Sequence, residues 1–476
     1  MTVLAIDQGT SGTKVLVHDG ERVLAVAEHP VRTRPVGPDG VEVDPWELLS
    51  SVLEAGRQAL AAAGAPGLRM VCLANQGETV LAWDRATGEP LSRAMVWQDR
   101  RADVVCRELR ESAALVAQRT GLVLDAYFCA PKMVWLRRNV TTNGVVTTSD
   151  AWLANRLAGV FVTDATTASR SLLTGLDTGA WDAEMIEVFG LGGELLPTIV
   201  DNDAVVGSTG AFGADVPLGG LIVDQQAALA AERCLHAGDV KCTYGTGAFL
   251  LANSGCAAVR SSRGLSTSIA WSLSGRRTYC LDAQAYTVGA AVDWLVRTGM
   301  LSSARRLDDE TGPETGGVTF VPALAGMGAP WWTSGAAGAL LGLSLGTDRG
   351  SVLRAVIEGL CCQIAVLIRE TGSEIGTPIS RLRADGGLIR SAVLMQAQAD
   401  LLQVPVECYS SPHATALGAL AMGRLASGDW RTLADAVPAP GSATTYEPRW
   451  SADRAAHTVA QWEAAVAGVL DGRVPR

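Results

Sequence analysis

The sequence predicts an α/β protein of two domains facing each other across a central cleft, and three observations carry that prediction. Strand-like and helix-like runs alternate along most of the chain. Two short turns rich in glycine and threonine, Asp7-Gln8-Gly9-Thr10-Ser11-Gly12-Thr13-Lys14 and Thr243-Tyr244-Gly245-Thr246-Gly247, each interrupt a hairpin-like pair of strands, one in each half. The length of 476 residues exceeds one ordinary core and suits two units. Backbone N–H groups and hydroxyls bunched at two such turns would grip a phosphate chain from both sides.

The first half opens with three strands, Val3 to Ile6, Lys14 to His18 and Arg22 to Ala27, joined by the first glycine turn and by Asp19-Gly20. A helix follows with a capping box, Asp44 as N-cap, Pro45 at N1 and Glu47 at N3; it buries Leu49, Val52, Leu53 and Leu60 and closes at Gly64. A strand from Met70 to Ala74 delivers Asn75-Gln76-Gly77-Glu78 at its end, and the alternation runs on to Leu221-Ile222-Val223-Asp224. A helix after Asp224 carries the chain across near Ala231, which divides it into residues 1–231 and 232–476. The second half restarts the plan. Asp239 to Leu251 reads as strand, turn, strand, with a third strand from Ser266 to Ser272. Helices at Val288 to Val296 and Gly350 to Arg369 precede a strand near Leu382 that leads into Asp385-Gly386-Gly387. The stretch from Pro438 to Thr445 reads as a loop before a final amphipathic helix at Asp453 to Leu470.

With 48% apolar and 18% charged residues the chain is that of a packed globular protein. A net charge of -10 argues against nucleic acid or a membrane surface as partner and suits a small molecule. Met1 to Asp7 has no basic segment of a leader type, and no stretch approaches the roughly 20 uncharged apolar residues of a membrane span, so a cytoplasmic location is expected. The 10 cysteines are scattered without a C-x-x-C pair and read as buried small apolar residues; neighbouring Cys361 and Cys362 point to different faces of a helix. None of the five histidines falls in a motif.

The first turn lacks the Lys-Ser or Lys-Thr pair that follows the last glycine of a Walker A loop, so it is not a P-loop. By spacing alone it is a tight hairpin turn. Asp7 beside Thr10, Ser11 and Thr13 adds a carboxylate able to hold hydrated Mg²⁺ next to phosphate-binding hydroxyls.

Nine short runs resemble, in order, the FGGY carbohydrate kinases, and within them the glycerol kinase branch most. They are Asp7-Gln8-Gly9-Thr10, Val96-Trp97-Gln98-Asp99-Arg100-Arg101, Thr120-Gly121-Leu122-Val123-Leu124-Asp125, Asp224-Gln225-Gln226-Ala227-Ala228-Leu229 and Thr243-Tyr244-Gly245-Thr246-Gly247, then Val321-Pro322-Ala323, Gly328-Ala329-Pro330-Trp331-Trp332, Asp385-Gly386-Gly387 and Thr415-Ala416-Leu417-Gly418. The resemblance implies a two-domain actin-like ATPase (ribonuclease H-like) fold, with ATP and Mg²⁺ as cofactors, ATP on the second domain and a polyol or sugar on the first. A homodimer is a possible assembly.

It also assigns roles. Asp224 stands at the position of the catalytic base, where the residues alone read as a helix N-cap. Thr10, Ser11 and Thr13 from one half and Gly245 and Thr246 from the other match the phosphate grips; Gly289, Asp293, Gly387 and Ser391 fall where nucleoside contacts are expected. Glycerol kinases usually carry Gln at the place of Asp293 and Asn at that of Ser391. For the acceptor, Glu78, Trp97, Tyr127, Asp224, Gln225 and Phe249 match the pocket residue by residue. Two further departures stand out. Gly77 replaces an arginine that donates to a glycerol hydroxyl, which removes a donor and opens space, and Ala337 stands where an arginine is common. The expected reaction is ATP-dependent phosphorylation of a primary hydroxyl, glycerol to glycerol 3-phosphate. The alternatives are a longer polyol or ketose using the space at Gly77, or a non-catalytic regulator that binds nucleotide or sugar. Asp7, Asp224 and Thr246 together count against the regulator, and the Trp97, Tyr127 and Asp224 group counts against a chaperone or filament ATPase of the same fold.

Overall fold

The opening run Val3–Gln8 (β1) is apolar almost throughout and buried on both faces, as a central strand must be when helices cover the sheet from two sides. It pairs antiparallel with Gly12–His18 (β2), which pairs antiparallel with Val23–Pro30 (β3). Helix α1 (Pro45–Ala62) packs on this meander. Met70–Asn75 (β4) then joins β1 in parallel, and Val205–Thr209 (β5) with Val216–Val223 (β6) completes a six-stranded sheet in the order β5-β6-β4-β1-β2-β3. The chain is seen in a computed structural model that describes residues 1–472 apart from positions 65, 66, 214, 334, 410, 440 and 442.

The parallel registers decide where the site lies. Asp7 stands opposite Ala74 and Val223 opposite Asn75, so β1, β4 and β6 end together and present Asp7, Glu78 and Asp224 at one edge. Ligands of parallel α/β sheets bind at this carboxyl edge. A smaller five-stranded sheet, which includes Val80–Trp83 and Ala94–Met95, and the helix Cys129–Asn139 flank that edge and carry Trp97 and Tyr127 into it.

From the edge, helix α2 (Asp224–Ala231) leads to a seven-stranded sheet built from Val240–Tyr244 (β7), Ala248–Gly255 (β8), Ser266–Leu273 (β9), Arg276–Ala285 (β10), Leu382–Asp385 (β11), Val406–Cys408 (β12) and Thr444–Tyr446 (β13). Its order is β9-β10-β8-β7-β11-β12-β13, with β7 and β11 parallel and Thr243 opposite Asp385. The second half thus repeats the hairpin-plus-parallel plan of the first. Helices α3 (Gly289–Arg297), α4 (Arg349–Ile375), α5 (Ala392–Leu402) and α7 (Ala452–Leu470) cover this sheet, while α6 (Ala414–Ala426) returns to the first one. By length and composition α4 could cross a membrane, but nearly all of its apolar stretch is buried in the second core.

Several expectations need correcting. The strand at 266–273 exists but lies at the sheet edge; the strand that pairs with β8 is β10, which the sequence reading does not find because its first residues, Arg276 and Arg277, break the apolar pattern. Asp44 caps α1 through Trp46 N–H at 3.0 Å, but Glu47 accepts from the Arg32 N–H at 2.8 Å, so the reciprocal half of the capping box is not made. Thr444 and Thr445, read as loop, belong to β13, while Pro440 and Ser442 of that stretch lie outside the described residues. Cys256 is exposed and Cys106 half-buried; the other cysteines are buried and all are free thiols.

Candidate active site

At the carboxyl edge of β4 and β6, nine residues line a cavity of about 120 Å³: Thr10, Gly77, Glu78, Trp97, Tyr127, Arg170, Asp224, Gln225 and Phe249. Pockets for drug-sized ligands run to roughly 300–1,000 Å³, so this one suits a molecule of a few heavy atoms. All six residues expected at the acceptor are among the nine. Trp97 meets Tyr127 and Phe249 edge to face, with ring centroids 6.0 and 5.8 Å away, which makes an apolar wall of interlocked rings. Its indole N–H donates to Thr10 Oγ1 at 3.0 Å and ties that wall to the first glycine turn.

The charged groups are deeply set. Glu78 is 3% exposed and has a left-handed backbone, φ 54°, a strained conformation that turns its carboxylate inward at the end of β4. Arg170, 4% exposed, donates to Glu78 and to Asp282 on β10. Asp224 is the first residue of α2 and not its cap, a place taken by Val223. One oxygen of Asp224 accepts from the Gln225 N–H at 2.7 Å, and the other carries no hydrogen bond among the described residues. Burial, and then the negative charge of Glu78, push its pKa up to about 6. Asp7 rises to about 7 by burial and by repulsion from Asp224. Lys241, fully buried on β7, donates to Gln225 Oε1 at 2.6 Å and Thr243 Oγ1 at 2.7 Å. With its carbonyl oxygen held, the Gln225 amide has its NH₂ left to donate toward the cavity.

The second turn is a backbone construction. Gly245 N–H donates to the Gly247 carbonyl at 2.9 Å, and the start of α3 folds onto the turn through Gly289 N–H to the Gly245 carbonyl and Ala290 N–H to the Thr246 carbonyl, both 3.0 Å. A methyl group on Gly289 would sit 2.5 Å from the Gly245 oxygen, and one on Gly386 2.5 Å from the Tyr244 oxygen. Three segments therefore meet at a surface where Thr246, Gly387 and Asp293 are exposed.

The N-terminal domain model of the FGGY family of carbohydrate kinases matches residues 2–230, and the C-terminal domain model of the same family matches residues 240–427. The chain belongs to the FGGY carbohydrate kinases. It is 42% identical over 470 residues to the glycerol kinase of Thermus brockianus, covering 92% of this chain and 94% of that protein. To the glycerol kinase of Alkalilimnicola ehrlichii it is 39% identical over 485 residues, covering 98% and 97%. Among solved structures it is similar to Plasmodium falciparum glycerol kinase with ADP, with a TM-score of 0.92, 28% identity and 98% of each chain covered. A xylulose kinase from Lactobacillus acidophilus shares the fold, with a TM-score of 0.89 at 19% identity over 100% of this chain and 99% of that one. This FGGY kinase accordingly has the two-domain actin-like ATPase fold and is a carbohydrate or polyol kinase.

Two residues expected at the nucleotide are committed elsewhere. The Thr13 hydroxyl is buried against α1 and shares a 2.6 Å hydrogen bond with Ser51, because strand alternation turns it into the core. Ser391 caps α5, accepting from Leu394 N–H at 3.1 Å, and gives its own proton to Asp308. Thr10 and Ser11 remain partly or fully exposed at the first turn. The opening expected at Gly77 is also absent. Gly77 does not have a left-handed φ, and a methyl group there would lie 3.2 Å from Val223 Cγ2 and 3.9 Å from Arg170 Nε. Sequence reasoning missed Arg170, Asp282 and Lys241. Arg170 did leave a signal, since it is the one charge between Asp164 and Asp177, and a lone arginine in such a run is a buried, paired one.

Proposed function

We propose that this FGGY kinase transfers the terminal phosphoryl group of ATP to a primary hydroxyl of glycerol, forming glycerol 3-phosphate and ADP. One observation carries the reading: a carboxylate with one oxygen unbonded among the described residues and a pKa of about 6, Asp224, faces a cavity for a few heavy atoms walled by aromatic rings and hydrogen-bonding groups. The glycerol kinases that the chain resembles over nearly its full length support it. In this reading residues 1–231 bind the acceptor and residues 232–476 the nucleotide, and a cytoplasmic enzyme would have ATP at hand.

The carbon chain of glycerol lies against Trp97 and Phe249, and its hydroxyls meet the Glu78 carboxylate and the Gln225 NH₂. The free Asp224 oxygen takes the proton from the attacking hydroxyl as the new P–O bond forms, a task suited to a base with a pKa near the working pH. Thr10 and Ser11 face the phosphates from one domain, Gly245 and Thr246 from the other, and Gly289, Asp293 and Gly387 border the nucleoside. Asp7 fits Mg²⁺: it is an oxygen donor at a strand end, held near a second carboxylate by the fold, and burial and then the charge of Asp224 raise its pKa to about 7. No group of three or more metal-binding side chains exists among the described residues, which suits a cation that keeps most of its waters. When bound, Mg²⁺ would neutralise phosphate charge. A coupled ATP-consumption assay over glycerol, tetritols, pentitols and ketoses tests the assignment. Glycerol is expected to show the highest kcat/KM, and a longer acceptor in that position would replace it.

A further inference from the structure

We propose that Arg170 sets the length of the acceptor and donates a hydrogen bond to it, an inference that rests on the glycerol reading above. Gly77 offers the cavity no side chain, and 3.9 Å from where one would begin stands Arg170 Nε. The guanidinium is thus the wall on that side. It is held from three directions. Nε–H donates to Glu78, Nη1 donates to Asp282 and, at 3.4 Å, to Ser268 Oγ, and Nη2 lies 3.5 Å from the Tyr127 hydroxyl. A guanidinium has five N–H donors, and these contacts use four. The fifth belongs to Nη2, the nitrogen beside Tyr127, which itself lines the cavity.

The charge is balanced before any acceptor arrives, because Glu78 and Asp282 flank it from the two halves of the chain. Among the described residues Asp282 Oδ1 is buried with no hydrogen bond, and the one cation paired with that carboxylate is Arg170. An acceptor that ends at the guanidinium keeps this arrangement and gains the remaining N–H. One carbon more must push the guanidinium aside, which would leave two buried carboxylates without their cation. The wall is therefore a filter as well as a donor: short acceptors are rewarded and long ones refused by the same group.

The test compares the parent with Arg170→Lys, which keeps the charge but loses the fork, and with the double variant Arg170→Gln/Asp282→Asn, which leaves Asp282 no charge to strand. Thermal melts and an unchanged KM for ATP establish folding, and kcat/KM is measured for glycerol, erythritol, xylitol and xylulose. In both variants KM for glycerol should rise about ten- to hundredfold with a smaller change in kcat, as for the loss of one charged donor. The ratio of longer acceptor to glycerol in kcat/KM should rise about tenfold or more. Asp282→Asn, isosteric and with Arg170 still paired to Glu78, covers the case in which neither variant folds; a severalfold rise in KM and in the ratio is expected, and no change in either overturns the proposal. A parent that prefers a longer acceptor overturns the glycerol reading and the filter with it. A parent that prefers glycerol, with folded variants unchanged in both readouts, overturns the role of Arg170 alone.

Discussion

The cavity around Asp224 and the surface around Gly245 lie at the carboxyl edges of two similar sheets, yet one is made from side chains and the other from backbone. Around Asp224, charged groups are buried and paired across long stretches of sequence, and three carboxylates, Asp7, Glu78 and Asp224, have raised pKa values. Around Gly245, glycines let three segments touch, and the outward groups are exposed. The contrast separates two tasks of a kinase. Chemistry needs tuned groups held away from water, whereas gripping a flexible phosphate chain needs N–H groups at a fixed spacing.

The most severe way to break the side-chain half is Asp224→Asn. Loss of the base should lower kcat by roughly 10² to 10⁴, with glycerol and ATP still bound, as read by turnover and calorimetry. For the backbone half the matching change is Gly289→Ala, whose methyl group would lie 2.5 Å from the Gly245 oxygen. Forcing the turn and α3 apart costs about 1–3 kcal/mol, so KM for ATP should rise about ten- to a hundredfold while glycerol binding holds. The two variants should fail on different substrates.

Acidity sharpens the comparison next. Asp224 must be ionised to act, so kcat/KM for glycerol should fall about tenfold per pH unit below about pH 6 and level off above it. Asp7, protonated through about pH 7 in the free protein, should demand more Mg²⁺ as the pH falls below that value. The raised pKa values also reverse the usual acid trend of stability. A carboxyl whose folded pKa exceeds its unfolded one binds an extra proton when folded, and that stabilising effect disappears as pH rises through the folded value. Asp7→Asn should therefore melt higher than the parent at pH 8, with the gap narrowing as the pH falls below about 7 and closing near the ordinary carboxylate value of about 4. The smallest effect is expected from Trp97→Phe, which removes the 3.0 Å bond to Thr10, the tie between the aromatic wall and the first glycine turn. A neutral hydrogen bond contributes about 1 kcal/mol, so both KM values should rise severalfold together.

Asp7 was legible in the sequence as a carboxylate at the end of an apolar strand, a local pattern; Glu78, three residues past the end of β4, and Asp224, which its neighbours alone read as a helix cap, took their roles only from the motifs. The aromatic wall was legible only through its motifs. Arg170 was not, because its partners lie 92 and 112 residues away and nothing near it in the chain names them. The engagement of Thr13 and Ser391 within the fold was hidden for a different reason. Residue type told that a hydroxyl was present, but strand parity turned one inward and a helix cap engaged the other. The strand β10 escaped because its arginine-led start hides a run that is buried on both faces farther on.

Helix α6 has a consequence for how the chain is made. Its residues Ala416, Ala419 and Leu420 share a core with Val3, Ala5, Cys72 and Ile222, and the fit is close enough that a methyl group on Gly418 would lie 1.9 Å from the Ala227 oxygen. One face of the first sheet is therefore covered only in part, by α2, until residue 426 has left the ribosome. At about 5–20 residues per second, the interval after Val223 is synthesised lasts roughly ten to forty seconds. For that time β1, β4 and β6 expose an apolar surface that only the far end of the same chain can close, so the N-terminal half, though first to be translated, is among the last parts to be finished.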